Sequence, residues 1–299
     1  MMSFDQNAFL IIITASMIAI SCGLLGVFMM LRKMSMTGDA ISHAVLPGIV
    51  IGYLVSGTQR GLEVIIGAGI LGILATLMID WLRKKARVQL DASIGITFTL
   101  LFAIGIILIS VFAYRVDLDQ ECVLYGEIAY LPIDLWINSS GQSFGPRIMW
   151  LAILNLLLVG GFITLFYKEL KITSFDEKFG IVIGIPASAI NLGLMSMVSY
   201  TTVSSFEAVG AILVVALLVV PPATAYLWTR DLRPLIQLTI LTGVMVSVIG
   251  YYLAFLFDSS IAGMMVTVAG IIFFLSVIFT HKKFKFTLGT QKETQPFSS

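Results

Sequence analysis

The stretch FLIIITASMIAISCGLLGVFMML, residues 9–31, runs on without one charged side chain. About 20 apolar residues suffice for a helix to cross a hydrocarbon core. No basic region precedes it, and it is too long for the apolar core of a signal peptide. Apolar windows of this kind, with at most charges near their ends, recur at about 40–57, 62–81, 92–113, 148–167, 187–205, 208–228, 235–257 and 260–280, the sixth being the weakest. The chain therefore reads as an all-α, polytopic membrane protein of about eight to nine transmembrane helices. Its composition agrees: of 299 residues 58% are hydrophobic and 12% charged, and the mean hydropathy is +1.00. A net charge of +1 argues against nucleic acid as a partner. Cys22 and Cys122 are too few and too differently placed for a disulfide framework or a zinc cluster.

Lys and Arg accumulate in cytoplasmic loops. One orientation puts Arg32, Lys33, Arg83, Lys84, Lys85, Arg87, Lys168, Lys171, Lys178, Arg230, Arg233, Lys282, Lys283, Lys285 and Lys292 inside, leaving only Arg60, Arg115 and Arg147 outside, so that 15 of 18 agree. The amino terminus is then outside and the carboxy terminus inside. A transmembrane domain is expected over 1–286. The polar tail TLGTQKETQPFSS, 287–299, is expected to be cytoplasmic and disordered.

Two segments are neither span nor short loop. Residues 114–146, outside, interleave Asp117, Asp119, Glu121, Glu127 and Asp134 with apolar residues. They suggest an interfacial or partly re-entrant segment whose irregular backbone must pack on protein or line a wet cavity. Residues 172–186, ITSFDEKFGIVIGIP, lie inside, where Ser174 can cap a short helix opened by Asp176 and Glu177 and stopped by Pro186. A short amphipathic helix on that face invites a partner.

Ionisable groups are almost absent from the spans, and a charge at mid-bilayer costs about 2.5–3.5 kcal/mol, so the exceptions carry information. In GDAISHAVLPG, residues 38–48, Asp39 and His43 are spaced i and i+4 on one helix face. A carboxylate with an imidazole suits a borderline divalent cation, with waters or a second copy of the pair completing a weak shell. Binding there falls as the pH drops through the histidine range, because the metal takes neutral imidazole. The same residues also fit a structural role, Asp39 capping the second span and His43 donating to a nearby carbonyl. Beside them Ala40, Ala44, Gly48 and Gly52 form a small-residue stripe, with a GxxxG match at 48–52. The stripe suits close helix packing within the chain or across a dimer. Pro47 can kink this helix.

Other ionisable positions have plainer readings. His281, in HKKFKF, fits an interfacial anchor; Glu63 and Asp80 lie at opposite ends of the third span; Glu207 opens the seventh. The 14 Met residues show no thioether motif for copper. No GxxxxGK[ST] is present, so ATP, if used, binds another polypeptide.

GDAISHAVLPGIVIGYL, then ITSFDEKFGIVIGIP, then AVGAILVVALLVVPPATAYLW closely resemble the membrane-spanning permease family of bacterial ATP-binding-cassette importers for manganese, zinc and iron. The resemblance runs over about residues 9–280 and rests on the order and spacing of three motifs. It implies a multi-pass permease of the bacterial cell membrane that dimerises with an identical or related chain. It further implies two cytoplasmic ATPase subunits and metal delivery by an extracytoplasmic metal-binding protein. No permanently bound cofactor is implied; the metal is cargo.

On this resemblance Asp39 and His43 match the acid-and-histidine pair of the metal path. Residues 173–186 match the coupling helix, with Phe175, Asp176, Phe179 and Gly180 meeting the ATPase. The external DLDQECVLYGEIA, 117–129, resembles manganese/iron-type members and leans the cargo toward Mn²⁺ over Zn²⁺ or Fe²⁺. There Asp117, Asp119 and Glu121 could receive the cation, or simply form a solvated acidic loop. The implied mechanism is alternating access driven by the ATPase. A rival is a proton- or sodium-coupled secondary carrier with Asp39 as the ion site. A membrane metalloprotease would need a fuller ligand set such as HExxH, which is missing.

Overall fold

The computed structural model describes residues 4–57, 62–112, 128–131, 135–137 and 143–292. Helix α1 (Phe4–Leu31) is followed by α2 (Ser35–Ala44) and α3 (Leu46–Ser56), which share one span, then by α4 (Leu62–Lys85) and α5 (Leu90–Phe112). After the external segment come α6 (Arg147–Leu165), the short α7 (Tyr167–Phe175) and α8 (Glu177–Val182), the long α9 (Ala187–Trp228), α10 (Leu232–Phe257) and α11 (Ile261–Lys292). Among the described residues eight helices are long and apolar enough to cross a membrane. Within the external segment β1 (Leu135–Ile137) and β2 (Ser143–Pro146) pair antiparallel, Leu135 opposite Pro146. The sequence suggested irregular backbone there. Helix α11 continues to Lys292, past the start of the expected polar tail.

Pro47 does more than kink the second span. It falls in the first turn of α3, where its missing N–H is tolerated and its fixed φ suits a helix start. The helix is interrupted at Val45. At the far end Gly57, at φ +69°, closes α3 by donating its N–H to the Tyr53 carbonyl at 2.7 Å, a left-handed cap that favours glycine.

The sixth and seventh apolar windows turn out to be one helix of 42 residues, interrupted at Gly210. The φ and ψ of Gly210, 75° and 162°, lie in a region that essentially only glycine occupies. The packing shows that the chain doubles back there. Asn191 meets Arg32 at the end of α1, Ser205 meets Cys22 further up α1, and Leu218 and Pro222 lie against Gly26, between those two levels. Ser205 and Leu218 would be about 20 Å apart along a straight helix, whereas Cys22 and Gly26 are separated by only about 6 Å. Helix α9 is therefore a hairpin whose limbs rise and return beside α1. Apart from the one taken from α9, the candidate spans among the described residues number seven, an odd count that matches the opposite-side termini expected from the basic residues.

The first limb, 187–209, is too polar to be one of the eight spans, and it is buried in protein. Ser199, Thr201, Thr202 and Ser205 are at most 1% exposed. Thr201 donates to Asn155 Oδ1 of α6 at 2.9 Å, and Asn155 Nδ2 lies 3.4 Å from Ser205 Oγ. Such interhelical bonds contribute about 0.6 kcal/mol each and exclude the lipid-facing alternative. Glycines admit the limbs: a Cβ on Gly72 of α4 would overlap the Ser199 hydroxyl, and one on Gly26 would overlap the Leu218 carbonyl.

The small-residue stripe packs within the chain. A Cβ on Gly48 would overlap the Gly67 carbonyl of α4, and one on Gly52 would lie 2.6 Å from Val64 Cα. Ala40 packs with Ile79 and Ile94, and Ala44 with Ala75 and Leu101, so both meet α4 and α5. Helix α2 is thus held between α5 on one side and α9 on the other.

Gly210→Ala should lower stability by about 1–3 kcal/mol, read as a reduced Tm of the detergent-solubilised chain. Gly270→Ala, where an added Cβ meets nothing within 4 Å, serves as control. Equal melting of the two variants would contradict the glycine-specific turn.

Candidate functional site: a carboxylate and an imidazole on a half-buried helix face

Helix α2 leaves α1 through a closed turn. The Met34 N–H donates to the Met29 carbonyl and the Lys33 N–H to the Met30 carbonyl, both at 2.9 Å, while Lys33 adopts φ +58°. This is a Schellman arrangement with lysine where glycine is usual. It places Ser35 at the start of α2 with Met34 as N-cap. Asp39 therefore lies inside α2, and the capping role that the sequence left open is not the one it plays.

Asp39 and His43 stand one turn apart with Oδ1 and Nε2 separated by 3.7 Å. That is close enough for electrostatic attraction and too long for a good hydrogen bond. Their side chains are 50% and 37% exposed respectively, so His43 is not a buried donor either. The ring of His43 is gripped from α5: its centroid lies 5.5 Å from Phe98 and 5.8 Å, edge-on, from Phe102. The two phenyl rings stack 5.7 Å apart. At i and i+4 on α5 they form one aromatic wall, which restricts the imidazole and leaves its Nε2 toward the carboxylate. On the far side of α2, an added Cβ on Gly38 would lie 3.3 Å from both Leu218 and Met29. Among the described residues no third His, Cys, Asp or Glu joins the pair. One hard oxygen and one borderline nitrogen can hold a divalent cation loosely, with remaining positions open to water or a second chain.

On the basic-residue side of the bundle, the segment expected as one helix over 173–186 is two, broken at Asp176. Asp176, not Ser174, caps the second, accepting from the Phe179 N–H at 3.0 Å. A carboxylate next to the opening N–H groups also complements the helix dipole, and Ser174 is engaged elsewhere as an acceptor from Arg32. Phe175, Phe179 and Val182 are exposed, the last at 82%. Gly180 faces inward, where an added Cβ would lie 3.2 Å from Thr173 Cγ2. It packs against α7, unlike the exposed Phe175 and Phe179.

Asp117, Asp119 and Glu121 lie outside the described residues, as do the side chains of Glu207 and His281. Sequence reasoning passed over the Phe98/Phe102 wall, because two phenylalanines in an apolar span look like lipid-facing filler. Their i, i+4 spacing was the available signal. It also passed over the Asn155–Thr201–Ser205 contact, which joins residues about 50 positions apart.

Residues 3–280 match the model of the ABC 3 transport family. The "Manganese transport system membrane protein MntD" of Bacillus subtilis (strain 168) is 43% identical over 289 residues, covering 95% of this chain and 97% of that protein. The "Zinc transport system membrane protein TroD" of Treponema pallidum (strain Nichols) is 39% identical, with 91% and 74% covered. Among solved structures, a chain of "PsaBC from Streptococcus pneumoniae in complex with Fab" superposes with a TM-score of 0.73 at 34% identity, covering 92% of this chain and 91% of that one. The helical hairpin, the eight apolar spans and a family match over nearly the whole length make this chain a multi-pass bacterial membrane protein of the ABC 3 transport family.

Proposed function

We propose that this chain is the permease subunit of an ATP-driven importer of divalent transition-metal ions, with manganese the favoured cargo. The observation that carries the reading is the Asp39–His43 pair, a half-exposed oxygen–nitrogen donor set on a membrane helix backed by the Phe98/Phe102 wall. The manganese and zinc systems named for its relatives support the cargo class. Two donors hold a cation weakly, and weak binding suits transport because the ion must leave. A second permease chain bringing its own pair would supply four donors at the moment of capture.

With no P-loop in the sequence, ATP is hydrolysed by a separate cytoplasmic subunit. The exposed apolar side chains of Phe175, Phe179 and Val182, on a segment outside the membrane spans, offer that subunit its docking surface. Opposite, an extracytoplasmic binding protein delivers the ion. ATP-driven movement then presents the Asp39–His43 site alternately to the two sides.

Reconstitution with the partner ATPase and binding protein tests the reading by ATP-dependent Mn²⁺ uptake into vesicles, compared with Zn²⁺ and Fe²⁺. Uptake of Zn²⁺ in clear preference to Mn²⁺ would change the cargo but leave the class. Asp39→Ala and His43→Ala should each abolish uptake with assembly intact, and normal uptake by both would remove the pair from the metal path. Phe98→Leu with Phe102→Leu should weaken the apparent metal affinity about tenfold, seen in the metal concentration giving half-maximal uptake. Phe179→Asp should reduce co-purification of the ATPase about tenfold or more; undiminished recovery would move the docking surface elsewhere.

A further inference from the structure

We propose that Arg32 is the link that carries movement of the α7–α8 segment to the metal-bearing helix α2, an inference that rests on the permease reading above. The guanidinium spends one donor on each of three side chains. Nε donates to Ser174 Oγ at 3.1 Å, Nη2 to Thr173 Oγ1 at 2.8 Å, and Nη1 to Asn191 Oδ1 at 3.0 Å. Two of these acceptors belong to α7 and the third to the first limb of α9, so one side chain joins three helices.

One of the acceptors is fixed as well. The Thr173 hydroxyl donates to the Glu169 carbonyl at 2.7 Å, so its oxygen lone pairs stay turned toward Arg32. All three acceptors are neutral, and hydrogen bonds from a charged donor to them are stronger than neutral ones. Burial lowers the pKa of Arg32 to about 10, with Glu177 acting in the opposite sense; the group is charged at neutral pH and the fork is maintained.

The position of Arg32 gives the fork its consequence. It is the residue before Lys33, in the Schellman turn that closes α1 and launches α2. Asp39 follows seven positions later, within that same short helix. A pull on Thr173 and Ser174 is therefore delivered to the corner from which the metal pair projects. A cavity of about 190 Å³ borders Arg32, Thr173, Ser174, Asp80, Glu177 and Asn191, so the segment has room to shift without displacing packed core. Lys84, bordering the same cavity, reaches Asp80 of its own helix at 3.5 Å and Ser188 of α9 at 3.4 Å, longer contacts that do not include α7. Rigid, planar and forked, Arg suits this task in a way that the single ammonium of Lys does not.

The test uses the full complex with its ATPase and binding protein in vesicles and reads Mn²⁺ imported per ATP hydrolysed. Arg32→Ala and Arg32→Lys should both lower that ratio about tenfold while the ATPase still co-purifies, the Lys variant separating charge from fork geometry. T173V/S174A, which keeps the guanidinium and removes two acceptors, should fall between wild type and Arg32→Ala. A wild-type ratio in Arg32→Ala overturns the link. Should that variant fail to assemble, a wild-type ratio in T173V/S174A overturns it equally. Absence of ATP-dependent uptake by the unaltered complex would instead overturn the permease reading, so the two failures are distinguishable.

Discussion

Hydrocarbon offers nothing to a polar group, and this molecule has a polar helix to accommodate. The first limb of α9 carries Ser199, Thr201, Thr202 and Ser205 on its buried surface, and Thr201 and Ser205 find in Asn155 a partner that lipid could not supply. The bundle is arranged so that they never meet lipid. Helix α4 approaches across Gly72, α6 contributes Asn155, and α1 admits the returning limb at Gly26. Gly210 permits the reversal that makes one buried element of the two limbs. The apolar faces of the remaining helices are then free to meet the membrane.

That centre positions α2. With α9 on one side and α5 on the other, α2 presents Asp39 and His43 along a face that is neither lipid nor core. The Phe98/Phe102 wall limits where the imidazole can turn without adding a ligand. On the proposed function the result is a site of low coordination number that is preorganised in direction. A cargo site needs that combination: enough order to select an ion and too few protein donors to keep it.

In the proposed importer, energy released by a separate ATPase can only reach such a site through contacts. A forked guanidinium that holds Thr173, Ser174 and Asn191 together at the root of α2 is directional. On the proposed link it converts displacement of a surface helix into displacement of the corner that carries Asp39 and His43.

The class of fold, the number of spans to within one and the Asp39–His43 pairing were all legible in the residues. Each depends on local quantities: apolar length and i, i+4 spacing. Even the weakness of the sixth window was informative, since polar residues mark a helix shielded by protein. What the residues by themselves left open was decided by neighbours distant in sequence. That Asp39 lies within a helix and not at its cap follows from where the Schellman turn closes α1. That Gly180 points inward while Phe179 points out follows from the packing of Thr173 against α8. The doubling back at Gly210, the wall around His43 and the reach of Arg32 to residues more than 140 positions away all depend on which helices touch. Hydropathy reports how far each segment is from water, and carries no record of which partner it meets.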